Sequence, residues 1–297
     1  MNQRTCYKVG DHIFALTINE ELRRELKLLA FEPFRIEDAP ESLFEVEVVE
    51  TIDDEIREPI IVDAPLSSSG MPRVDIHRVD SGLLYQITMP YNDAINANLV
   101  IDDSRHTTRV ALYGTSTSKL AALNNALILS YITFTMKYST LLLHSSTVIH
   151  QGHAYLFLGK SGTGKSTHSR MWLESFEGSE LLNDDHPIIR VFDDGTITVY
   201  GSPWSGKTPC YRNLTAPLGA IVRIERGLTN QIERLRPLKA YASITTSCSG
   251  AQWSKSLMND KVKAVEKVIS LARSYTIRCL PNHEAAEVCY NYIKNDK

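Results

Sequence analysis

The run Gly159-Lys160-Ser161-Gly162-Thr163-Gly164-Lys165-Ser166 constrains this chain more than any other stretch. It matches GxxxxGK[ST] without a gap, the pattern of a loop whose backbone N–H groups cradle phosphates. The glycines permit backbone angles that other residues rarely reach. The apolar run Tyr155-Leu156-Phe157-Leu158 predicts a strand entering the loop, and Lys165 to about Phe176 predicts a helix leaving it. The unpaired N–H groups and positive dipole end of that helix then face the same anion. Lys165 supplies a point charge for the β and γ phosphates, and the Ser166 hydroxyl a ligand for Mg²⁺. Thr167 supports the loop or touches the α phosphate. The expected ligand is a nucleoside triphosphate, ATP with Mg²⁺, on an α/β framework.

Phosphoryl transfer also needs carboxylates, one near the metal and often one to receive the acceptor proton. Leu181-Leu182-Asn183-Asp184-Asp185 offers an adjacent pair at the end of a short apolar run. A plain Asx turn ahead of His186-Pro187 is the alternative reading. Tyr200-Gly201-Ser202-Pro203-Trp204-Ser205-Gly206-Lys207-Thr208 sets Trp, Lys and hydroxyl groups in a Gly/Pro-constrained loop. Such loops on rigid scaffolds often carry function. Ser202, Trp204, Ser205 and Lys207 are therefore candidate substrate contacts, with a surface turn around a packing Trp as the alternative. His144, in Leu143-His144-Ser145-Ser146, precedes the phosphate loop by one hairpin, and its charge can be tuned near neutral pH.

Around these motifs the chain reads as two regions. Before residue 118, strands are expected at Ile13 to Ile18, Phe44 to Val49, Leu83 to Thr88, Ala97 to Ile101 and Thr107 to Tyr113, the last three as an antiparallel meander. Leu66 to Pro72 reads as a loop. Ser118 opens a long helix to about Tyr138. The apolar stretch Leu120 to Leu143 is interrupted by Asn124, Asn125 and Lys137, which favours a buried helix over a membrane span. Beyond it strand and helix alternate. Ser146 to Ile149 and Ala154 to Leu158 form a hairpin through Gln151-Gly152, strands follow near Asp184, at Thr196 to Tyr200, Leu218 to Ile224 and Thr276 to Leu280, and Glu284 to Lys294 closes as a helix. In the helix Lys261 to Arg273, the residues Val262, Val265, Val268, Ile269 and Ala272 form a core-facing stripe. The division expected is a β-rich domain over 1–117 and a phosphate-loop domain over 118–297.

Composition narrows the partners. The 297 residues carry a formal net charge of -3 and no long basic run, so the chain lacks the footprint of a nucleic-acid binder. Five cysteines without a CxxC pair fit free thiols in a reducing compartment rather than zinc or dithiol chemistry. The N-terminal residues lack an apolar signal core. A cytoplasmic protein without membrane association is the expectation.

From Leu143 to Asp185 the chain resembles the C-terminal kinase domain of the HPr kinase/phosphorylase family, which is allied in fold to the ATP-dependent phosphoenolpyruvate carboxykinases. The resemblance rests on the His before the hairpin, the hairpin into GKSGTGKST, and the paired aspartates after the first helix. GSPWSGK followed by Leu218-Gly219-Ala220-Ile221-Val222 resembles HPr-kinase-like serine kinases found beside peptide-modification gene sets. It implies a carboxykinase-like C-terminal α/β domain with a mixed sheet. It also implies that Lys165 and Ser166 hold phosphates and Mg²⁺, that Asp184 is the base facing an acceptor hydroxyl, that Asp185 is the metal-side carboxylate (or the reverse), and that His144 lies close to the reacting phosphate. The glycine-rich signature by which HPr kinases engage their protein acceptor is not evident after Asp185.

The leading expectation is a Mg-ATP-dependent kinase acting on a hydroxyl-bearing acceptor, a peptide, a protein or a small molecule. The alternatives are a nucleotide-binding regulator without transfer chemistry and a small carboxykinase-like enzyme.

Overall fold

The computed structural model describes residues 1–37, 39, 41–65, 72–90, 94–206, 208–250 and 254–296. The chain is mixed α/β and divides into two compact units, Met1–Thr135 with Gly250–Lys255, and Met136–Ser249 with Ser256–Lys297.

The first unit contains β1 (Asn2–Val9), β2 (His12–Asn19), α1 (Glu20–Leu26), β3 (Arg35–Ile36), β4 (Phe44–Val49), β5 (Glu58–Pro65), β6 (Arg73–Val79), β7 (Gly82–Thr88), β8 (Ala97–Asp102), β9 (Thr107–Leu112) and α2 (Ser116–Thr135). Its strands form one sheet in the order β3-β1-β2-β4-β9-β8-β7-β6-β5. The meander β7-β8-β9 is antiparallel as expected, while β4 runs parallel to both β2 and β9 and makes the sheet mixed. Strands β1, β3, β5 and β6 escape the reading of the sequence. The loop expected from Leu66 lies, apart from Pro72, outside the described residues.

Helix α2 is apolar on most sides because it is buried. Phe134 stacks on Phe44 at 5.0 Å, Phe44 stacks on Phe14 at 5.1 Å, and the Tyr131 hydroxyl donates to the Val9 carbonyl at 3.0 Å. Burying each such side chain contributes roughly 1.5–3 kcal/mol. These contacts tie α2 to the first sheet, so the boundary falls after Thr135 rather than at residue 118. Among the described residues no helix is long and apolar enough to cross a membrane.

The second unit contains β10 (Thr140–Leu142), β11 (Ser145–His150), β12 (His153–Leu158), α3 (Lys165–Ser175), β13 (Glu180–Asp185), β14 (Ile188–Val191), β15 (Ile197–Tyr200), β16 (Thr215–Arg226), β17 (Gln231–Arg234), α4 (Pro237–Ser247), α5 (Lys255–Leu271), β18 (Ser274–Cys279) and α6 (His283–Asn295). Its sheet runs β10-β14-β15-β16-β12-β11-β13, with β18 also on β16 and β17 on β18. Strands β12, β16 and β18 are parallel, and β11 is antiparallel to both β12 and β13.

Side chains alternate across this sheet and feed two cores. Phe157, Ala220 and Tyr275 pack with Trp172 of α3 and with Ala286 and Tyr290 of α6. Leu156, Leu158 and Ile221 pack with Ile244 of α4 and with Ala264, Val265 and Val268 of α5. Of the expected α5 stripe Val265 and Val268 are buried in this core, Ile269 and Ala272 are partly buried against it, and Val262 is only half-buried, with Ala264 taking a core place instead. Lys261 is also buried, and its ammonium donates to the Cys248 carbonyl at 3.2 Å.

Candidate nucleotide and phosphoryl-transfer site

Strand register assembles the site. Ser145 pairs with Leu158 on one side and with Asp185 on the other, so one row crosses β12, β11 and β13. Neighbouring strands lie ~4.8 Å apart, which puts the ends of β12 and β13 about 10 Å from each other. The phosphate loop starts one residue after Leu158, and His144 stands one residue before Ser145. The antiparallel hairpin thus brings His144, the loop and both aspartates to a single sheet end.

The loop has the conformation that the glycines permit. Gly159, Gly162 and Gly164 have φ of 155°, 78° and 111°, and Gly164 is the N-cap of α3. Thr163 closes the turn, with its hydroxyl donating to the Lys160 carbonyl at 2.7 Å. Among the described residues, the amides of Gly162, Gly164, Lys165 and Ser166 have no acceptor. That leaves a nest of donors at a helix start, the arrangement that holds an anion. Lys160, Ser161, Ser166 and Thr167 are exposed. Helix α3 is pinned to β11 by the Ser146 and Ser169 hydroxyls, 2.6 Å apart.

Lys165 turns back so that its ammonium donates to the Gly159 carbonyl at 3.1 Å. Burial lowers its pKa, while the nearby charges of Asp185 and Asp184 act to raise it. Lys165 therefore shares its field with the carboxylates that sequence spacing alone left apart.

The two aspartates differ. Asp185 Oδ1 lies 3.4 Å from His144 Nε2, and its Oδ2 lies 3.1 Å from His186 Nδ1. Burial raises the Asp185 pKa, but the His186 hydrogen bond first, then the charges of His186 and Lys165, outweigh it, and the net shift is downward. The Asp184 carboxylate has no hydrogen bond or ion pair among the described residues and is largely buried. Asp184 shares a sheet face with its cross-strand partner Ser146, which points at α3.

His144 does not titrate near neutral pH as the sequence suggested. Burial, then the charge on Lys165, lower its pKa to about 4, and Asp185 offsets only part of this. It is a neutral imidazole under ordinary conditions. Its backbone is fixed by the His144 amide bonding to the Ser247 carbonyl at 2.7 Å.

Residues 201–206 fold over the acidic pair instead of standing free. Ser205 bridges Asp185, and the Gly206 amide donates to the Asp184 carbonyl at 2.9 Å. A Cβ at Gly206 would sit 2.9 Å from that same carbonyl oxygen, so the close approach requires glycine. Ser202 and Trp204 are buried, as in the alternative reading of a turn around a packing Trp. The Ser202 hydroxyl is spent on the His186 carbonyl at 2.6 Å. Ser205 is half-buried, with its hydroxyl on the Thr208 carbonyl. Lys207 lies outside the described residues.

Two residues that the sequence reading passed over organise this region. Asn183 is fully buried, and its amide donates to Ser202 and Trp204 while its Oδ1 accepts from the Asp185 and His186 amides at 3.0 and 2.8 Å. The Asx-type turn considered for this segment is thus made by Asn183, which leaves both aspartates available. His186 is the second, and its place directly after the acidic pair was the only available signal. Among the described residues no cluster of three or more His, Cys, Asp or Glu side chains could hold a metal by itself.

No protein-family model matches the sequence, and no curated protein matches it. Among solved structures the chain is similar to the HPr(Ser) kinase/phosphatase from Coxiella burnetii. The two are 11% identical with a TM-score of 0.30, and the match covers 52% of this chain and 94% of that one.

Proposed function

We propose that this protein is a Mg-ATP-dependent kinase that transfers the γ-phosphoryl group to a hydroxyl on a peptide, protein or small molecule. The observation that carries the reading is the convergence of Lys165, Asp184 and Asp185 beside an open nest of loop amides. The residues fit a bound Mg-triphosphate. The nest and the Lys165 ammonium would hold phosphate oxygens, while the exposed Ser166 hydroxyl and Asp185 would ligate Mg²⁺. A two-ligand protein contribution suits Mg²⁺, which keeps several waters and takes further ligands from substrate phosphates. When bound, the ion would neutralise charge between the β and γ phosphates.

The chain's own groups divide the remaining work. Asp185 is held anionic above all by its hydrogen bond with His186, as a metal-side carboxylate must be. Asp184 has no side-chain partner among the described residues, so its carboxylate is free to accept the proton of an incoming hydroxyl. Neutral His144 orients Asp185 without adding a charge. Lys165 offsets the charge that builds on the transferring group. The experiment is incubation of the purified protein with γ-labelled ATP, Mg²⁺ and panels of hydroxyl-bearing small molecules and Ser/Thr peptides. Label on an acceptor that is lost in Asp184→Asn supports the reading; binding of ATP with no transfer across the panels opposes it.

A further inference from the structure

If the phosphate loop takes a nucleotide, its nucleoside end needs a place, and the strand layout indicates one. The carboxylates that face the transferring phosphoryl group lie to one side of β12, across β11, on β13. The rest of the ligand must then extend the other way, over the carboxyl ends of β16 and β18. Ligands of parallel sheets bind outside the carboxyl ends of strands. Those ends are joined to the loop and to each other. Arg226, the last residue of β16, is exposed and donates its guanidinium N–H to the Gly162 carbonyl at 2.7 Å. Arg226 pairs with Cys279, the last residue of β18, and the Gly227 amide donates to the Cys279 carbonyl at 3.1 Å.

Beyond this join two leucines stand at the surface. Leu228 is 93% exposed and Leu280 is 37% exposed. The turn that presents them is built. Asn230 accepts from the Leu280 amide at 2.9 Å and donates to Asn282 and Glu284 at 3.0 and 2.9 Å. A leucine left in water on a braced turn, two residues from a guanidinium that touches the phosphate loop, is a ledge for a flat, partly apolar group.

We propose that the turn Arg226–Asn230, with Leu280 beside it, receives the base and ribose of the bound nucleoside triphosphate. Leu228 and Leu280 cover a face of the base. Arg226 braces the loop with one N–H and has further donors for the ribose or the α phosphate. The inference rests on the nucleotide-binding reading above, and it adds recognition of the nucleoside as distinct from the phosphates.

The test compares Mg-ATP with Mg-tripolyphosphate, which has the phosphates and no nucleoside, by titration calorimetry at fixed ionic strength. Wild type, Leu228→Ser and the double variant L228S/L280S are measured, and Leu228 is exposed enough that its loss leaves the fold intact. The expected result is that wild type prefers ATP, and that the double variant binds ATP about five- to tenfold more weakly, roughly 1 kcal/mol of lost apolar cover, with tripolyphosphate affinity unchanged. Equal loss for both ligands, or ATP affinity unchanged in the variants, overturns the ledge while leaving the phosphate-loop reading in place. Failure of wild type to bind either ligand overturns the underlying reading itself.

Discussion

The Nε2 of His144 stands 3.4 Å from Oδ1 of Asp185, and burial holds that imidazole neutral with a pKa of about 4. The pair makes an orienting contact between a neutral ring and an anion. His168 of α3 is likewise neutral, its pKa lowered by burial to about 4, and its Nε2 accepts from the Trp172 indole at 3.1 Å.

Both shifts make stability depend on pH with a known sign. The folded pKa lies below the ordinary value of 6.5, so between about 4 and 6.5 the unfolded chain binds more protons. The stability from each neutral ring is fully present above pH 6.5 and is lost as pH falls towards 4. For His168 the drop amounts to ~3 kcal/mol. Urea unfolding at pH 7, 5.5 and 4.5 should show this loss, and His168→Gln, which keeps an acceptor for Trp172, should flatten it. An unchanged pH dependence in that variant contradicts the assignment.

Asp184→Asn should separate binding from chemistry. The change removes a proton acceptor that makes no side-chain bond among the described residues, so Mg-ATP affinity should stay within about twofold while turnover falls about 100-fold or more, the scale of general-base catalysis. Steady-state rates alongside calorimetry check it. Normal turnover by this variant transfers the base role to Asp185.

The loop over the acidic pair gives a third prediction. In Gly206→Ala the new methyl meets the Asp184 carbonyl at 2.9 Å and must displace it. Turnover should drop about tenfold or more, since small misplacements of reacting groups are costly. Nucleotide affinity should hold, because the phosphate loop lies on another strand. A parallel loss of ATP binding would show that the two loops are not independent.

Asn183 makes the strongest structural prediction. Its buried amide serves donors and acceptors on both flanks of the acidic pair. Asn183→Ala leaves several of those groups unpaired and should cost about 2–4 kcal/mol. Denaturant melts give the size of the loss, and a change below about 0.5 kcal/mol means that other groups hold the turn.

The residues that act through local geometry were legible in the sequence. The glycine turn at 159–164, the hairpin read from Ser146 to Leu158 and α3 follow from glycines, turn residues and apolar periodicity over short spans. The acidic pair was visible, but not the difference between its members, because His144 reaches Asp185 only through the pairing of β11 with β13. The depth to which Ser202 and Trp204 are buried was not legible, because a Gly/Pro-rich loop reads as surface. Only the fold shows Asn183 drawing that loop down onto β13. Helix α2 read correctly as buried, yet its unit could not be read, since the aromatic stack Phe14–Phe44–Phe134 joins residues far apart in sequence.

In the proposed function, loop amides and the Lys165 ammonium together bind a triphosphate. Titration of wild type and Lys165→Ala with a non-hydrolysable ATP analogue, with and without Mg²⁺, tests it most directly. Wild type should bind saturably at millimolar Mg²⁺, and Lys165→Ala about 100-fold more weakly, as expected for loss of a charge-assisted phosphate contact. Equal affinity in the two proteins, or no binding by wild type, contradicts it.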